Sequence, residues 1–176
     1  MRRTVEGIMV VHEHGHPHIL MLQIANAFFK LWVTWVFREL VTNVKIRPGD
    51  YLTPGETDEL GLKKRLDDRL APLDPNAFEE QDGALNDWEI GDCLAQWWRP
   101  NFETFMYPFI PAHVTKPKEC KKMYCVHLPE RKVFAVPKNM KLLAIPIFEL
   151  YDNGGRYGPQ LAAIPHLLSR YNFIFQ

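Results

Sequence analysis

Four histidines occupy alternate positions between residues 12 and 18. Imidazole nitrogens are common metal ligands, and alternate residues of a strand point to the same face, so this spacing could bring two or more imidazoles together. Gly15 and Pro17 interrupt the run, however, and both residue types are typical of turns. We therefore interpret residues 13–17 as the turn of a polar hairpin and expect no metal site here.

A run of acidic and basic residues follows the Pro- and Gly-rich segment 48–56. It resembles a degenerate Nudix box, in which Gly, five residues, Glu and seven residues precede Arg-Glu-U-x-Glu-Glu-x-Gly-U, with U a bulky aliphatic residue. Glu56 fits the first acidic position. The opening glycine, the arginine and the three following glutamates are replaced, in that order, by Asp50, Lys64, Arg65, Asp68 and Arg69.

These replacements bear on catalysis, because pyrophosphate hydrolysis needs Mg²⁺ held by several carboxylates on one helical face. Of the three glutamate positions on the helix of the box, only the one at Asp68 still carries a carboxylate, and aspartate is shorter than glutamate. The guanidinium groups of the neighbouring arginines would repel a cation. We therefore expect the fold without the metal site: no catalytic residues, no metal ligands and no cofactor.

Other common sites are missing from the sequence. Ser169 is the single serine and lies outside any GxSxG motif, and neither GxxxxGK[ST] nor GxGxxG occurs. The three cysteines, Cys93, Cys120 and Cys125, form no CxxC pair, which argues against a disulfide framework or a cysteine zinc site and favours a reducing compartment.

Charge and hydropathy argue against three classes: proteins that bind nucleic acid mainly through its phosphates, secreted proteins and membrane proteins. The 21 basic residues equal the 21 acidic ones, which argues against binding nucleic acid mainly through its phosphates but permits stacking on bases. The first residues lack the apolar core of a signal peptide, and no apolar run reaches transmembrane length. We expect a soluble intracellular protein that does not enter a membrane.

Periodicity predicts one mixed α/β domain. Thr57 as N-cap, acids in the first turn and leucines at four-residue spacing predict a helix over Asp58–Leu70. A second helix is predicted from Pro159. Strands are predicted over 4–12, 18–23, 123–128, 133–136 and 141–150, and at the end of 88–99. Irregular segments are predicted over 71–83, 100–122 and 154–158.

Several long runs are similar to one family. WWRPNFE, AHVTKPKE and FELYDN, together with MRRTVEG, FFKL and YGPQLAAIPHLLSRYNF, resemble the small Nudix-fold subunit of pre-mRNA cleavage factor Im. The resemblance covers nearly the whole chain. It implies one Nudix domain over residues 1–176, with a mixed β-sheet sandwiched between helices (α/β/α).

The resemblance also implies a function. Members of that family are nuclear, non-catalytic subunits of the pre-mRNA 3′-end cleavage and polyadenylation machinery, and they bind UGUA elements of single-stranded pre-mRNA. They form homodimers, associate with a larger subunit that carries an RNA-recognition motif, and bind diadenosine polyphosphates without hydrolysing them.

Residue by residue, the family pattern assigns base stacking to Phe28 and main-chain contacts to Ala27 and Phe29. Glu6 matches an acidic residue that accepts a hydrogen bond from a base edge. Because adjacent strand residues face opposite ways, at least one of the two phenylalanines is expected in the core. The complete implied RNA-binding set is Glu6, Ala27, Phe28, Phe29, Leu31, Tyr157 and Gly158. The positions implied to contact the larger subunit are Tyr107, Phe109 and Leu167.

Three features depart from the family. Its members carry an N-terminal extension that supplies an Arg and a Glu for reading guanine, so we expect this domain to be truncated at Met1. Residues 32–47 form an atypical insertion between FFKL and the Pro-Gly of the box, either a genuine loop or a gene-model error. Residues 71–83 form a surface connection longer than in some relatives.

Three functions therefore stay open. The first is an RNA-binding assembly subunit without hydrolase activity. The second is a Nudix-type nucleotide hydrolase or diadenosine-polyphosphate sensor with a non-standard metal site. The third is a dimerising scaffold whose RNA pocket is defunct.

Overall fold

The computed structural model describes residues 1–24, 28–31, 51–70, 88–129, 134–136, 138 and 140–174. The predicted insertion 32–47, the predicted connection 71–83 and Ala27 lie outside these residues. For Phe28 the backbone alone is described.

The described chain forms a mixed sheet with helices on both faces. Neighbouring strands follow the order β3-β2-β1-β5-β4, and β6 also pairs with β2. The pairing of β1 with β5 is parallel and the other pairings are antiparallel. The elements are β1 (Arg2–Glu13), β2 (His16–Ile24), β3 (Phe28–Lys30), α1 (Asp58–Leu70), β4 (Glu89–Arg99), β5 (Glu119–His127), β6 (Met140–Pro146), α2 (Ile147–Leu150), α3 (Gly154–Tyr157), α4 (Pro159–Ala162) and α5 (Ile164–Leu168).

Strand alternation divides the core into two clusters. In β1, Val5 and Met9 pack with Leu62 and Leu66 of α1 on one face. Ile8 points to the other face, where residues of α2–α5 cover it. The predicted α/β class and its layered α/β/α arrangement are confirmed, and the alternation decides which β1 and β5 side chains reach each face.

Helix α1 has the predicted bounds, Asp58–Leu70. The Thr57 hydroxyl accepts a hydrogen bond from the Leu60 amide at 3.4 Å, as an N-cap does. Leu62, Leu66 and Leu70 are buried, so the four-residue spacing marks the face that packs on the sheet.

Two strand predictions need correction at their boundaries. The histidine hairpin turns over His14 and Gly15 alone, both at positive φ, so β1 extends to Glu13 and β2 begins at His16. Strand β4 covers the whole of Glu89–Arg99 rather than its end, with register shifts around Cys93 that explain its irregular hydrophobic pattern.

Other predictions were wrong in type. Residues 119–122, predicted irregular, begin β5. Phe134–Val136 do not form a strand: the Ala135 amide instead bonds the Leu70 carbonyl at 2.9 Å, at the end of α1. The predicted strand 141–150 ends at Pro146 and continues as α2, and the predicted loop 154–158 contains α3.

The predicted C-terminal helix is divided into α4 and α5. Pro165 lacks the amide hydrogen that would bond the carbonyl of Leu161, and this missing bond accounts for the break between α4 and α5. In the described part of the chain, no helix combines the length and hydrophobicity that crossing a membrane requires.

Candidate nucleic-acid interface

A cleft of about 350 Å³ opens where β1, β3 and β5 meet the α3–α4 segment. The loop residues Thr104, Phe105 and Met106 form part of its wall. Five of the seven sequence-predicted RNA-binding residues line this one cleft. They are Glu6, Phe29, Leu31, Tyr157 and Gly158.

A buried ion pair lies in the cleft. The Lys121 Nζ atom is 2.7 Å from Oε1 of Glu6, and the two side chains are 11% and 5% exposed. The same ammonium group donates to Oε1 of Gln160, in α4, at 3.0 Å. Lys121 therefore links the carboxylate on β1 to the helical wall of the cleft and fixes where that carboxylate lies.

An aromatic wall adjoins this ion pair. The centroids of the Phe29 and Tyr157 rings lie 4.8 Å apart, and the two rings are tilted against each other. The Arg156 guanidinium lies 5.4 Å from the Phe29 centroid and 5.2 Å from that of Tyr157, close enough for a cation–π interaction. The Tyr157 hydroxyl donates to Glu149 at 2.5 Å. Burial and the Glu149 carboxylate raise the pKa of Tyr157 to about 12, so the phenol keeps its proton at neutral pH.

Gly158 connects α3 to α4 at positive φ, a backbone conformation that L side chains rarely adopt. The Gly158 amide bonds the Gly154 carbonyl at 2.9 Å, which ends α3. This turn joins the segments that bring Tyr157 and Gln160 to the lining of the cleft, and a side chain at 158 would strain it.

Phe29 of β3 and Leu31, which follows the strand, line the same cleft. Phe28 pairs with Ile24 of β2, and Phe29 packs partly buried against the core on the α2–α5 face. The expectation that at least one of the two phenylalanines packs in the core is therefore met by Phe29. Base stacking by Phe28 stays a prediction, and Ala27 lies outside the described residues.

The residues predicted to contact a larger subunit lie elsewhere. Tyr107 and Trp98 exchange two main-chain hydrogen bonds beside β4, and the Tyr107 ring is 5.9 Å from that of Phe109, which is 58% exposed. Leu167, on α5, packs partly buried against the core. The partner role of all three stays a prediction.

On the other face of the sheet, Glu56 of the degenerate box bonds to neighbouring residues of the protein. Its Oε2 atom accepts from the Thr53 amide at 2.9 Å and hydroxyl at 3.0 Å, and lies 3.4 Å from Arg65. The Thr53 amide, and to a smaller extent Arg65, hold the pKa of Glu56 below its usual value although burial opposes them. Arg65 also donates to the carbonyls of Gly61 and Tyr51, both at 2.7 Å.

The carboxylate of Asp58, at the start of α1, also has several partners within the protein. Lys122 Nζ lies 2.6 Å from Oδ2, the Tyr124 hydroxyl donates at 3.0 Å, and Arg3 lies 3.4 Å from Oδ1. Burial raises its pKa, but the bonds from Lys122 and Tyr124 outweigh burial and leave the pKa lowered. Within the ranges that the structure describes, no three His, Cys, Asp or Glu side chains are grouped so that they could hold one metal ion.

Sequence reasoning missed Lys121, Gln160 and Phe105 as cleft residues. Lys121 lies two positions before Met123 and four before Cys125, so strand alternation places it on their face. That signal was hidden because residues 100–122 were predicted to be irregular. Gln160 and Phe105 carry no comparable local signal.

Similarity to known proteins identifies the family to which the chain belongs. A family model described as nucleotide hydrolase, NUDIX_2, matches residues 1–171. The pre-mRNA cleavage factor Im 25 kDa subunit 2 of Arabidopsis thaliana is 51% identical over 98% of this chain and 75% of its own length. The cleavage and polyadenylation specificity factor subunit 5 of Dictyostelium discoideum is 44% identical over 99% of this chain and 76% of its own.

Among solved structures, an Ap4A hydrolase of C. elegans in a binary complex superposes with a TM-score of 0.50 at 14% identity, covering 96% of each chain, which is likeness of fold alone. The sequence matches extend over nearly the whole chain, including the strands and helices that form the cleft. The chain therefore belongs to the Nudix superfamily and, within it, to the family of the small subunits of pre-mRNA cleavage factor Im.

Proposed function

We propose that the cleft binds UGUA elements of single-stranded pre-mRNA and that the protein acts in the nucleus, in 3′-end cleavage and polyadenylation. The observation that carries the proposal is the placing of a fixed carboxylate, Glu6, beside an aromatic wall in one cleft. The relatives, a cleavage factor and a cleavage and polyadenylation specificity factor, support the same process.

The chemistry of the cleft suits nucleobases. An ionised carboxylate only accepts hydrogen bonds, so Glu6 would select a base that presents an N–H edge, as uracil and guanine do. Aromatic rings add about 1–3 kcal/mol per stacked base, without regard to which base it is. A site of this kind needs few phosphate contacts, which agrees with the balanced charge of the chain.

We propose further that the protein hydrolyses no nucleotide. Mg²⁺ in such enzymes is held by several carboxylates, whereas Glu56 is bonded to Thr53 and faces a guanidinium, and Asp58 is bonded to Lys122 and Tyr124. Both carboxylates are bonded to protein donors, which supports the proposal that neither holds a magnesium ion.

The assembly is part of the proposal. We expect a homodimer and an association with a larger subunit that carries an RNA-recognition motif, the latter through Tyr107, Phe109 and Leu167. Phe109 and the adjacent Ile110 support this expectation: they are 58% and 41% exposed, and neighbouring exposed apolar residues are typical of an interaction surface.

Fluorescence anisotropy with short labelled RNAs tests the binding. The protein is expected to bind a UGUA oligonucleotide at least tenfold more tightly than its UCUA counterpart, and Phe28→Ala is expected to weaken UGUA binding by roughly tenfold. Equal affinity for the two RNAs would refute the proposed specificity. Unchanged binding by Phe28→Ala would refute the role of that ring.

A second candidate function rests on the family model, which is described as nucleotide hydrolase. It is the Nudix-type hydrolysis or binding of diadenosine polyphosphates. Phosphate release measured with and without Mg²⁺ tests the hydrolysis, since the first proposal expects no Mg²⁺-dependent turnover. Competition between diadenosine tetraphosphate and the labelled UGUA oligonucleotide tests the binding.

A further inference from the structure

Phe105 is an exposed aromatic residue in the wall of the cleft. Its side chain is 69% exposed, yet it lines the same cavity as Glu6, Phe29 and Tyr157. The cleft therefore has an aromatic wall in which Phe29 is partly buried and Tyr157 is buried, and it also has one ring, that of Phe105, most of whose surface is open to solvent at the cleft mouth.

The main chain before Phe105 is held by Arg99. The Arg99 guanidinium donates to the carbonyl of Glu103 and, at 2.9 Å, to the carbonyl of Thr104. Arg99 is itself held by Glu119, whose Oε2 atom is 3.1 Å from the guanidinium Nε. The two residues that precede the exposed ring are thus tied to strands β4 and β5.

The main chain after Phe105 is held as firmly. Met106 is buried in the core, and Tyr107 exchanges main-chain hydrogen bonds of 2.6 and 2.8 Å with Trp98. An apolar ring on a flexible loop could turn away from water at little cost, but here the backbone on both sides is fixed. The backbone that carries the ring is therefore fixed before any ligand arrives, so less backbone conformational entropy is lost on binding.

We propose that Phe105 is a stacking platform for a nucleobase that flanks the UGUA element in bound single-stranded RNA. The inference rests on the proposed function, because it assumes that RNA occupies the cleft. Glu6 and Lys121 deep in the cleft can select a base by its edge, whereas a ring at the mouth offers only its face. Stacking on Phe105 therefore adds affinity and not sequence preference.

The chain supplies a matched control in Phe102. That ring lies three residues away, is 83% exposed and has the Lys118 ammonium 5.3 Å from its centroid, but it does not line the cleft. Phe102→Ala removes an exposed aromatic ring from the same loop without altering the proposed platform.

The test measures RNA affinity of Phe105→Ala, Phe105→Leu, Phe105→Trp and Phe102→Ala on a UGUA oligonucleotide with flanking uridines. We expect Phe105→Ala to bind about tenfold more weakly, Phe105→Leu to recover little, and Phe105→Trp and Phe102→Ala to bind within about twofold of the unaltered protein. Discrimination between UGUA and UCUA is expected to persist in Phe105→Ala. Circular dichroism should show unchanged folding, since the ring is exposed.

An abasic site at each flanking position in turn identifies the stacked base. One abasic site is expected to weaken binding of the unaltered protein about tenfold and to weaken Phe105→Ala no further. The platform is refuted, while the UGUA site stands, if Phe105→Ala binds RNA as tightly as Phe102→Ala does. It is equally refuted if every abasic RNA that weakens binding of the unaltered protein weakens binding of Phe105→Ala by the same factor. If the unaltered protein binds UGUA and UCUA equally, the proposed function itself fails.

Discussion

Lys121 and Lys122 are adjacent in β5, yet their ammonium groups bind carboxylates on opposite faces of the sheet. Lys121 lies 2.7 Å from Glu6 in the cleft, and Lys122 lies 2.6 Å from Asp58 at the start of α1. Successive strand residues alternate in direction, so this separation follows from the strand itself. The two lysines therefore distinguish the face proposed to bind RNA from the face that carries the box helix.

Replacing Lys121 by Met should impair both stability and RNA binding. Removing the cation from a buried ion pair costs roughly 3–5 kcal/mol, and the carboxylate of Glu6 loses the group that positions it. We expect a corresponding loss in the free energy of unfolding by urea denaturation. We also expect at least a tenfold loss of UGUA affinity at a temperature where the variant is folded.

Lys122→Met is the matched comparison. Asp58 keeps Tyr124 and Arg3 as partners, so we expect a smaller loss, roughly 1–3 kcal/mol, and RNA affinity within about twofold of the unaltered protein. RNA affinities that fall equally in the two variants would contradict the assignment of the cleft to one face.

Arg65→Met should change how stability depends on pH. Bonds from Thr53 and Arg65 keep the pKa of Glu56 below its usual value of 4.5, so Glu56 contributes stability above that pH, and the contribution is lost as pH falls through the lowered pKa. The stability difference between the unaltered protein and the variant should be largest above pH 4.5 and shrink in more acid solution. Denaturation series between pH 3 and 7 measure it.

Lys64→Met provides the control for that series. Lys64 precedes Arg65 on α1 but is exposed, and replacing an exposed residue that makes no special contact changes stability little. Its curve should therefore follow that of the unaltered protein at every pH. A difference between Arg65→Met and the unaltered protein that stays constant from pH 3 to pH 7 would exclude the Glu56–Arg65 pair as its source.

The parts of the fold that local pattern determines could be predicted. Helix α1 was predicted with its correct bounds, because its N-cap, its acidic first turn and its leucine spacing are all local to the helix. The division between α4 and α5, by contrast, depends on Pro165, whose helix-breaking effect was not predicted although the residue is plain in the sequence.

The candidate site was harder to predict, because its residues come from distant parts of the chain. Glu6 and Lys121 lie far apart in the sequence and meet only because β1 and β5 pair in parallel. Local sequence patterns do not predict which strands pair. The family resemblance supplied Glu6, Phe29 and Tyr157 but not Lys121. Lys121 faces Glu6 because β5 begins at Glu119 and so includes Lys121, whereas the sequence predicted an irregular segment up to residue 122.

Leu66→Ala should destabilise the domain through the box helix. Leu66 is 1% exposed and packs with Val5 and Met9 of β1, so its truncation leaves a cavity and should cost about 2–5 kcal/mol. Urea denaturation monitored by tryptophan fluorescence measures the change. A loss below about 1 kcal/mol would mean that α1 packs less tightly on the sheet than the structure indicates.

Tyr157→Phe should separate the role of the hydroxyl from that of the ring. The variant loses the bond to Glu149, a partly exposed acceptor, and should lose about 1 kcal/mol while RNA affinity stays within about threefold because the ring remains. The pKa of Tyr157 is raised from its usual value of 10.0 to about 12. The stability that its hydroxyl contributes is therefore fully present below pH 10 and is lost as pH rises through 12. The stability difference should therefore begin to shrink above pH 10, and a difference that grows there would contradict the assignment.

Photo-crosslinking tests the placing of RNA in the cleft most directly. A UGUA oligonucleotide carrying 4-thiouridine at either uridine position is irradiated with the protein, and the attached peptides are identified by mass spectrometry. We predict attachment to the segments that contain Phe28–Leu31 and Tyr157, and its loss on competition with unlabelled UGUA but not UCUA. Attachment confined to residues 51–70, the loop and helix of the degenerate box, would contradict the account.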